Sequence, residues 1–335
     1  MIEIDIIGFF DSVLKGIGQV QFHDSAITGV LFLVGLAIFS RRLALWGFIG
    51  SLVATLVGIA IGGNDWWVTY GLFGFNGVLT ATALWLFIKP SKRSVAYLLF
   101  GAALSALVMV SFTRFFTPWG IPALTGPFNI TTMLLLWANG AGGVVHGFGK
   151  LSIGEFGWWM PWPKLEEKWT AAECVKTPFR GMAQVMFSDH WLTGVVFFIA
   201  FALGGYFLYP WGYSHVPGGT TNIGFTFGLG GVVALMGSVV GTLTAIACKG
   251  DRQAIHHGIY GYNSVLTALA LFGVFFALNP VNLVFALFFT VVTTIIMAAI
   301  MSMFAPYKMP ALTLPFCVTT WIAIYATQIF SGVFV

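Results

Sequence analysis

Two copies of a Thr-x-Pro-Phe segment are the residues of this chain best suited to bind a polar solute. The first copy contains Thr125 and Pro127, and the second contains Thr313 and Pro315. Proline has no backbone N–H and disturbs the hydrogen bond of the carbonyl group one turn earlier. Carbonyl groups freed in this way, next to a threonine hydroxyl, would form a row of hydrogen-bond acceptors. We expect such a row to bind a solute that is rich in hydrogen-bond donors.

Three sequence blocks, including this segment, occur once in each half of the chain and in the same order. Their paired ranges are 19–22 with 184–187 (Gln-Val-x-Phe), 71–79 with 258–266 (Gly-x-x-Gly-(Phe/Tyr)-Asn-x-x-Leu), and 122–138 with 310–326. The last pair has nine identical residues among its seventeen aligned positions. The second half also has extra residues, which we place in the Gly/Pro/Tyr-rich stretch 209–221. In a membrane protein, such a duplication predicts a site shared between the halves.

The composition indicates a membrane-embedded protein. Hydrophobic residues make up 58% of the 335 residues, and charged residues make up only 8%. A soluble domain needs about three times as much charge. Residues 43–62 contain no charged side chain, and twenty residues is about the length that crosses a hydrocarbon core of roughly 30 Å. A buried helix of a soluble protein could explain one such stretch but would not recur along the whole chain.

Ten apolar stretches, five in each half, predict the transmembrane spans. They are 26–40, 43–62, 65–88, 95–117, 121–143, 190–209, 223–248, 255–278, 281–304 and 309–331. We therefore predict an all-α integral membrane protein with a first repeat at 1–143, a polar linker at 144–171 and a second repeat at 172–335. Because five is an odd number, corresponding spans would cross the membrane in opposite directions. The two repeats would then have inverted topology.

Two further segments are too polar to face lipid. Residues 5–24 and 172–189 precede the first span of each half and contain several charged and amide side chains. We expect each segment to form a re-entrant pore helix that enters partway and turns back near the membrane midplane. Irregular backbone is tolerated at that depth only where it is buried in protein or lines a watery cavity.

Basic residues are distributed unequally between the two sides that the predicted spans define. Most of them, including those of the linker, fall on one side, whereas Lys15 and Arg114 fall on the other. The positive-inside rule then places the linker in the cytoplasm and both termini outside. The acidic stretch 1–5 lacks the basic region of a cleaved signal peptide.

Taken together, the three duplicated blocks resemble the urea transporter (urea channel) family of bacteria and vertebrates. The resemblance covers nearly the whole chain, which is similar to a bacterial member. It implies ten spans plus two re-entrant pore helices in each protomer of a homotrimer in the cell inner membrane. It also implies passive movement of urea through a separate pathway in each subunit, surrounded by membrane lipid.

The resemblance further implies which residues line the pathway. Urea is planar and neutral, with four N–H donors and one oxygen acceptor. Moving it across a membrane without hydrogen-bond partners would cost several kcal/mol of free energy. The implied lining is a flat, uncharged slot, in which ions would lose their hydration without a compensating charge. Its residues are Phe22 and Phe187 as walls, Val20, Val185, Leu79 and Leu266 as narrowings, Gln19 and Gln184 at the polar edges, and Thr125 and Thr313 at the centre.

Ionisable residues depart from this neutral pattern. His23 and Asp24 follow the first Gln-Val-x-Phe block, and Asp189 and His190 follow the second. Each aspartate directly precedes the first span of its half, where an N-cap carboxylate would accept hydrogen bonds from exposed backbone N–H groups. The alternative is a role in permeation or in a pH response, because an ionisable residue inside a membrane is a functional candidate.

Other functional classes fit the sequence less well. An ion- or proton-coupled secondary transporter also uses inverted repeats, but only these His and Asp residues offer a coupling site. An ammonia, water or small-amide channel shares the neutrality, but the chain has no paired Asn-Pro-Ala boxes and no matched pore histidines. For an enzyme, Cys174, Cys248, Cys317 and the pair His256-His257 lack the spacing of metal ligands. We therefore predict no enzymatic activity, cofactor, metal or nucleic-acid partner.

Overall fold

The chain is helical throughout the part that the structure describes. The computed structural model describes residues 5–139, 169–208, 228–276 and 278–328, and no strand occurs among them. The helices are α1 (Ile6–Gly18), α2 (Ala26–Phe39), α3 (Arg41–Ala60), α4 (Asp65–Thr69), α5 (Gly74–Phe87), α6 (Lys92–Phe116), α7 (Gly126–Ala138), α8 (Ala171–Gln184), α9 (Trp191–Leu208), α10 (Leu229–Ala247), α11 (Arg252–His256), α12 (Tyr262–Leu269), α13 (Pro280–Phe304) and α14 (Leu314–Thr327). Most of the predicted linker and the whole stretch 209–221 lie outside the described residues.

Four helices in the described ranges are long and apolar enough to cross a membrane without interruption. They are α3, α6 with its following turn to Trp119, α10, and α13 with its following turn to Tyr307. The other six predicted spans coincide with shorter or interrupted helices. For example, the predicted spans 65–88 and 255–278 are divided by turns at Gly71 and Gly258, whose φ angles of 71° and 75° favour glycine. The predicted spans therefore correspond to a mixture of long and interrupted helices in the described residues.

The first predicted pore-helix segment bends sharply within the protein. α1 and the 3-10 turn that follows it meet α2 at an angle of 69°. In the second half, α8 likewise ends in a short turn before α9. The residues that close the two turns, Phe22 and Phe187, have left-handed φ angles of 62° and 63°. Equivalent residues thus adopt the same unusual backbone conformation in both halves.

Tertiary contacts also recur at equivalent positions of the two halves. The hydroxyl of Ser51 in α3 donates to the carbonyl of Val13 in α1 at 2.7 Å. In the second half, the hydroxyl of Ser238 in α10 donates to the carbonyl of Pro178 in α8, also at 2.7 Å. The long helices α3 and α10 therefore hold α1 and α8 in the same way.

The halves join along α2 and α9. At this contact the rings of Phe32 and Phe197 lie 4.3 Å apart between centroids. Both side chains are fully buried and belong to a hydrophobic cluster that contains residues of both halves. The duplicated segments are therefore packed into one body around a shared centre.

Candidate solute-binding site

The two predicted central threonines meet where the halves join. Thr125 Oγ1 lies 2.6 Å from Thr313 Oγ1, and the residues are only 3% and 2% exposed. Each threonine immediately precedes a short helix, α7 or α14, whose second residue is the proline. Proline is tolerated there because first-turn N–H groups have no acceptor within the helix. The prolines thus begin two helices whose N-termini converge on one pair of hydroxyls.

The carbonyl groups before these helices differ from the prediction. Leu312 O accepts hydrogen bonds from the Tyr262 hydroxyl at 2.6 Å and from Asn263 Nδ2 at 3.1 Å. Pro122 O accepts one from Trp321 Nε1 at 2.9 Å. The expected row of acceptors is therefore partly occupied by donors of the protein itself. Side chains contribute more of the polar character of this centre than the sequence suggested.

The predicted aromatic walls cross between the halves. The ring of Phe22 packs edge-on against Phe316, with centroids 6.0 Å apart. The ring of Phe187 packs in the same manner against Phe128, at 6.2 Å. Each wall residue therefore lies against the Thr-x-Pro-Phe phenylalanine of the opposite half, three residues after the central threonine.

A further aromatic contact of Phe22 comes from a segment of the second half that differs from its first-half counterpart. After α12 the chain forms a π-helical segment, Ala270–Val274, in which Gly273 has a φ of 141°. This irregular segment is followed by Phe275, whose ring packs edge-on against Phe22 at 6.1 Å. In the first half α5 continues as a regular helix to Phe87. Such π segments are frequent at functional sites, and this one makes the surroundings of Phe22 and Phe187 unequal.

The remaining predicted residues lie inside the protein, at equivalent positions of the two halves. Gln19 Nε2 donates to Tyr70 O at 3.0 Å, and Gln184 Nε2 donates to His257 O at 2.9 Å. The two glutamines therefore make equivalent bonds to the turns before α5 and α12. The four aliphatic residues are at most 1% exposed and belong to one hydrophobic cluster. They are Val20, Leu79, Val185 and Leu266.

Comparison with known proteins assigns the chain to a family. A sequence model described as "Urea transporter" matches residues 10–209 and 223–328. The chain belongs to the urea transporter family. It is 27% identical to urea transporter 1 of Rattus norvegicus over 341 residues, which cover 96% of this chain and 78% of the relative. It is 26% identical to urea transporter 1 of Mus musculus over 333 residues, with the same coverage.

Family membership confirms that this is a transport protein of the predicted family. The resemblance to urea transporters is confirmed, and this member of the family is a transport protein rather than an enzyme. It is a membrane protein with several apolar helices of spanning length. The gap in the family match at 210–222 also coincides with the stretch that we interpreted as extra residues of the second half.

Asn76 and Asn263 hold the two Thr-x-Pro-Phe segments of this urea transporter family member in place. Asn76 Oδ1 accepts from the backbone N–H of Phe128 at 3.0 Å, and Asn263 Oδ1 accepts from that of Phe316 at 3.2 Å. These N–H groups lie in the first turns of α7 and α14 and have no helical acceptor. Both asparagines are fully buried, so they position the two segments from within the protein.

Replacing Asn76 with leucine is expected to lower the free energy of unfolding by about 2 kcal/mol, because a buried N–H of Phe128 would lose its acceptor. The measurement is the thermal unfolding midpoint of the purified protein in detergent. Asn139→Leu is a control at the other end of α7, because the Asn139 amide donates to the carbonyl of Leu135 in its own helix and bonds the Tyr97 side chain, away from the first turn. Equal midpoints for both variants would contradict this positioning role.

The first of the two aspartates near the site does not cap a helix as expected. The N-cap of α2 is Ser25, whose hydroxyl accepts from Thr28 N at 3.4 Å, so the capping interpretation is wrong for Asp24. Asp189 instead contacts a histidine, since its Oδ2 lies 3.1 Å from His257 Nδ1. The Ser25 hydroxyl therefore caps α2 in place of the Asp24 carboxylate that we predicted.

The cations Lys15 and Arg180 near the two pore-helix ends are paired with carboxylates, Lys15 at a partly exposed position and Arg180 at a buried one. Lys15 Nζ lies 2.6 Å from Asp11 Oδ2, one turn before Gln19. In the second half, Arg180 Nη1 lies 2.6 Å from Glu173 Oε2. Because each cation has an anion next to it, the two helix ends add little net charge near the centre. This pairing suits the passage of a neutral solute rather than an ion.

Two residues in contact with the threonine pair were missed in the sequence. Asn129 Nδ2 donates to Thr313 Oγ1 at 3.0 Å, and Thr125 Oγ1 lies 3.2 Å from Cys317 Sγ. Each lies four residues after the threonine of its own half, directly after the motif phenylalanine. Because residues four apart share a helix face, the spacing itself was the signal that would have found them.

Proposed function

We propose that this protein is a passive, bidirectional urea channel. The observation that carries the proposal is the pair of buried threonine hydroxyls, 2.6 Å apart, where the two halves join. Hydroxyl groups can accept hydrogen bonds from the N–H groups of urea and can donate to its oxygen. A solute that gives up water at this point would receive comparable partners from the protein, which lowers the barrier to its passage.

The aromatic and aliphatic residues would supply the shape selectivity of this pathway. Phe22 and Phe187 would press on the faces of a planar molecule, and Val20, Val185, Leu79 and Leu266 would narrow the path, with Gln19 and Gln184 at its edges. In support, Phe22 and Phe187 pack against the motif phenylalanines next to the threonine pair. The paired charges near the helix ends also favour a neutral solute.

The proposed architecture is a pair of inverted repeats, each with a re-entrant pore helix, α1 or α8. The recurring contacts of α3 with α1 and of α10 with α8 support two equivalent units. We further propose a homotrimer in a bacterial inner membrane, with a pathway in every subunit, the linker in the cytoplasm, and both termini outside.

Proton-coupled transport is the second candidate function. The observation that favours it is the contact of Asp189 with His257 at 3.1 Å, next to the bond between Gln184 and the His257 carbonyl. An ionisable pair inside a membrane protein is a candidate proton site. Coupling would require that urea uptake follow the proton gradient, and passive permeation would not.

Stopped-flow measurement of urea uptake by proteoliposomes tests both candidates. We expect urea to enter faster than it enters protein-free vesicles, at a rate that is the same with and without an imposed pH gradient. Entry no faster than through bare lipid would refute the channel proposal. Uptake that rises with an inward proton gradient and returns to the basal rate with an uncoupler would instead establish coupling.

Replacing Phe187 with alanine is expected to weaken discrimination against bulkier solutes. Binding sites distinguish one extra methyl group by about tenfold or more, so the permeability of N-methylurea relative to urea should rise by about that factor when a wall is removed. Phe179→Ala is a control in α8, the helix before the turn that contains Phe187, because Phe179 packs edge-on against Phe198. An unchanged permeability ratio would exclude Phe187 as a wall of the slot.

A further inference from the structure

Asn129 joins the two threonines of the centre but leaves half of its amide unused. Its Nδ2 donates to Thr125 O at 2.8 Å and to Thr313 Oγ1 at 3.0 Å, and the residue is only 1% exposed. Because a backbone carbonyl can only accept, the nitrogen must be the atom that faces Thr125 O. The amide oxygen Oδ1 then points to the other side of the side chain.

The Asn129 Oδ1 atom has no hydrogen-bond partner among the described residues. Most buried polar atoms in proteins are hydrogen-bonded, so each exception calls for an explanation. The location supplies one, because the orphaned acceptor lies on the side chain that holds the central pair of hydroxyls. A passing solute with an N–H group would satisfy it, and the acceptor would be unpaired only between passages.

The equivalent residue of the second half cannot do the same. Cys317 occupies that position, and its Sγ lies 3.2 Å from Thr125 Oγ1 and 3.5 Å from Asn129 Nδ2. A thiol is a weak donor and a weak acceptor, whereas an amide oxygen is a strong acceptor. The centre therefore has its strong extra acceptor on the first-half side alone.

The bonds of Asn129 are compatible with one order of the hydroxyl hydrogens that suits N–H donors. Thr313 Oγ1 accepts from Asn129 Nδ2, and in this order its own hydrogen goes to Thr125 Oγ1 at 2.6 Å. The Thr125 hydrogen can then go to Cys317 Sγ. In this order the two hydroxyl hydrogens are used within the cluster, and oxygen lone pairs are left for the solute. Such a centre suits N–H donors.

We infer that Asn129 is a specificity-determining residue, which accepts an N–H of the solute through Oδ1 at the midpoint of the pathway. The inference rests on the proposed function and deepens it. The class of solute it selects is the small neutral amide with an –NH2 group. The competing explanation is that Asn129 only positions the threonines, through its two donor bonds.

A position swap separates these two roles. Asn129→Leu keeps the branched shape and removes the amide, and Cys317→Asn returns an amide from the equivalent position of the other half. We expect Asn129→Leu to reduce urea permeability by about tenfold, as for the loss of one hydrogen bond, and to raise the half-saturating urea concentration. Adding Cys317→Asn to this variant should recover at least half of the permeability. Asn139→Leu, the control at the C-terminal end of the same helix α7, should stay within about twofold of the original protein.

Each outcome of the stopped-flow experiment has one meaning. Absence of urea flux in the unaltered protein would refute the proposed function itself, whereas flux that survives Asn129→Leu unchanged would overturn only the inference on Asn129. A fall in flux without a change in half-saturation, and without recovery in the swap, would assign Asn129 a purely positioning role. Size-exclusion profiles of the variants in detergent identify any that fail to fold, and Asn129→Ser then replaces Asn129→Leu.

Discussion

Urea permeability is expected to fall by about a hundredfold when Thr125→Val and Thr313→Val are combined, since each lost hydrogen bond is worth about a factor of ten. Valine keeps the branched shape of threonine but has no hydroxyl group. The two methyl groups would meet where the hydroxyls now lie 2.6 Å apart. A solute at this point would then have shed water without gaining the two hydroxyl partners of the centre.

The single variants provide an internal scale for this double variant. We expect each single variant to reduce permeability by about tenfold. If the two hydroxyls act independently, the effect of the double variant should equal the product of the two single effects. A deviation from that product would show that the hydroxyls act as one unit. Thr319→Val is the matched control, because the Thr319 hydroxyl donates to Pro315 O in its own helix. The readout is stopped-flow urea uptake in proteoliposomes.

Unchanged flux in the double variant would mean that the site is assigned wrongly. Urea transport through a different route would remain possible in that case. A parallel loss of folded protein, seen as aggregation in size-exclusion chromatography, would point instead to a structural role for the threonine pair. A monodisperse double variant with reduced flux is the result that ties these hydroxyls to permeation.

Duplication made the meeting of the two threonines predictable. A motif that occurs once in each half can be shared only where the halves meet, and Thr125 and Thr313 do meet there. The same reasoning anticipated that Phe22 and Phe187 would have equivalent places, and both close a turn with a left-handed φ. Internal repetition therefore indicates which distant residues come together in the fold, and a single copy of the motif would not.

The hydrogen-bond partners of the backbone could not be predicted in this way. The Thr-x-Pro segment is compatible with a broken helix or with the start of a new one, and only the fold decides between them. The carbonyls before α7 and α14 are occupied by Trp321, 199 residues from Pro122, and by Tyr262, 50 residues from Leu312. No local pattern connects residues so far apart along the chain.

Departures from symmetry were also outside the reach of the sequence pattern. Aligned repeats suggest equal surroundings, whereas Phe275 packs against Phe22 from a π-helical segment found only after α12 among the described helices. Asp24 and Ser25 are both good N-cap residues. The N-cap of α2 is Ser25, which has the extended backbone of an N-cap residue. Whether a helix begins one residue earlier or later depends on tertiary packing, which cannot be predicted from residue types alone.

The second large effect is expected at the crossing of α3 and α5, where Gly50→Ala should lower the free energy of unfolding by about 3 kcal/mol, as overpacking of a rigid contact does. A Cβ atom at Gly50 would lie 2.3 Å from the carbonyl oxygen of Gly77 and 2.8 Å from the Cβ of Ala81. Small residues allow membrane helices to approach this closely. The obstructing atom is backbone, so the helices themselves must separate.

Gly47→Ala is a control on the same helix. A Cβ atom at Gly47 would have its nearest neighbours at 3.6 to 3.8 Å, which is ordinary contact. Alanine is the better helix former by about 0.5–1 kcal/mol, so this variant should be as stable as the original protein or slightly more stable. Both substitutions gain the same helix propensity, and the difference between their unfolding midpoints therefore isolates the contact with α5.

The consequence for the site follows from what α5 carries. Asn76, which holds the N-terminus of α7 through Phe128 N, and Leu79 both lie on α5, so separation of α3 and α5 would loosen the segment that contains Thr125. Urea flux through Gly50→Ala should accordingly fall together with its thermal unfolding midpoint in detergent. A variant that unfolds early yet conducts urea normally would show that α5 positions nothing of importance, and equal midpoints for Gly47→Ala and Gly50→Ala would show that the close crossing of α3 and α5 does not exist.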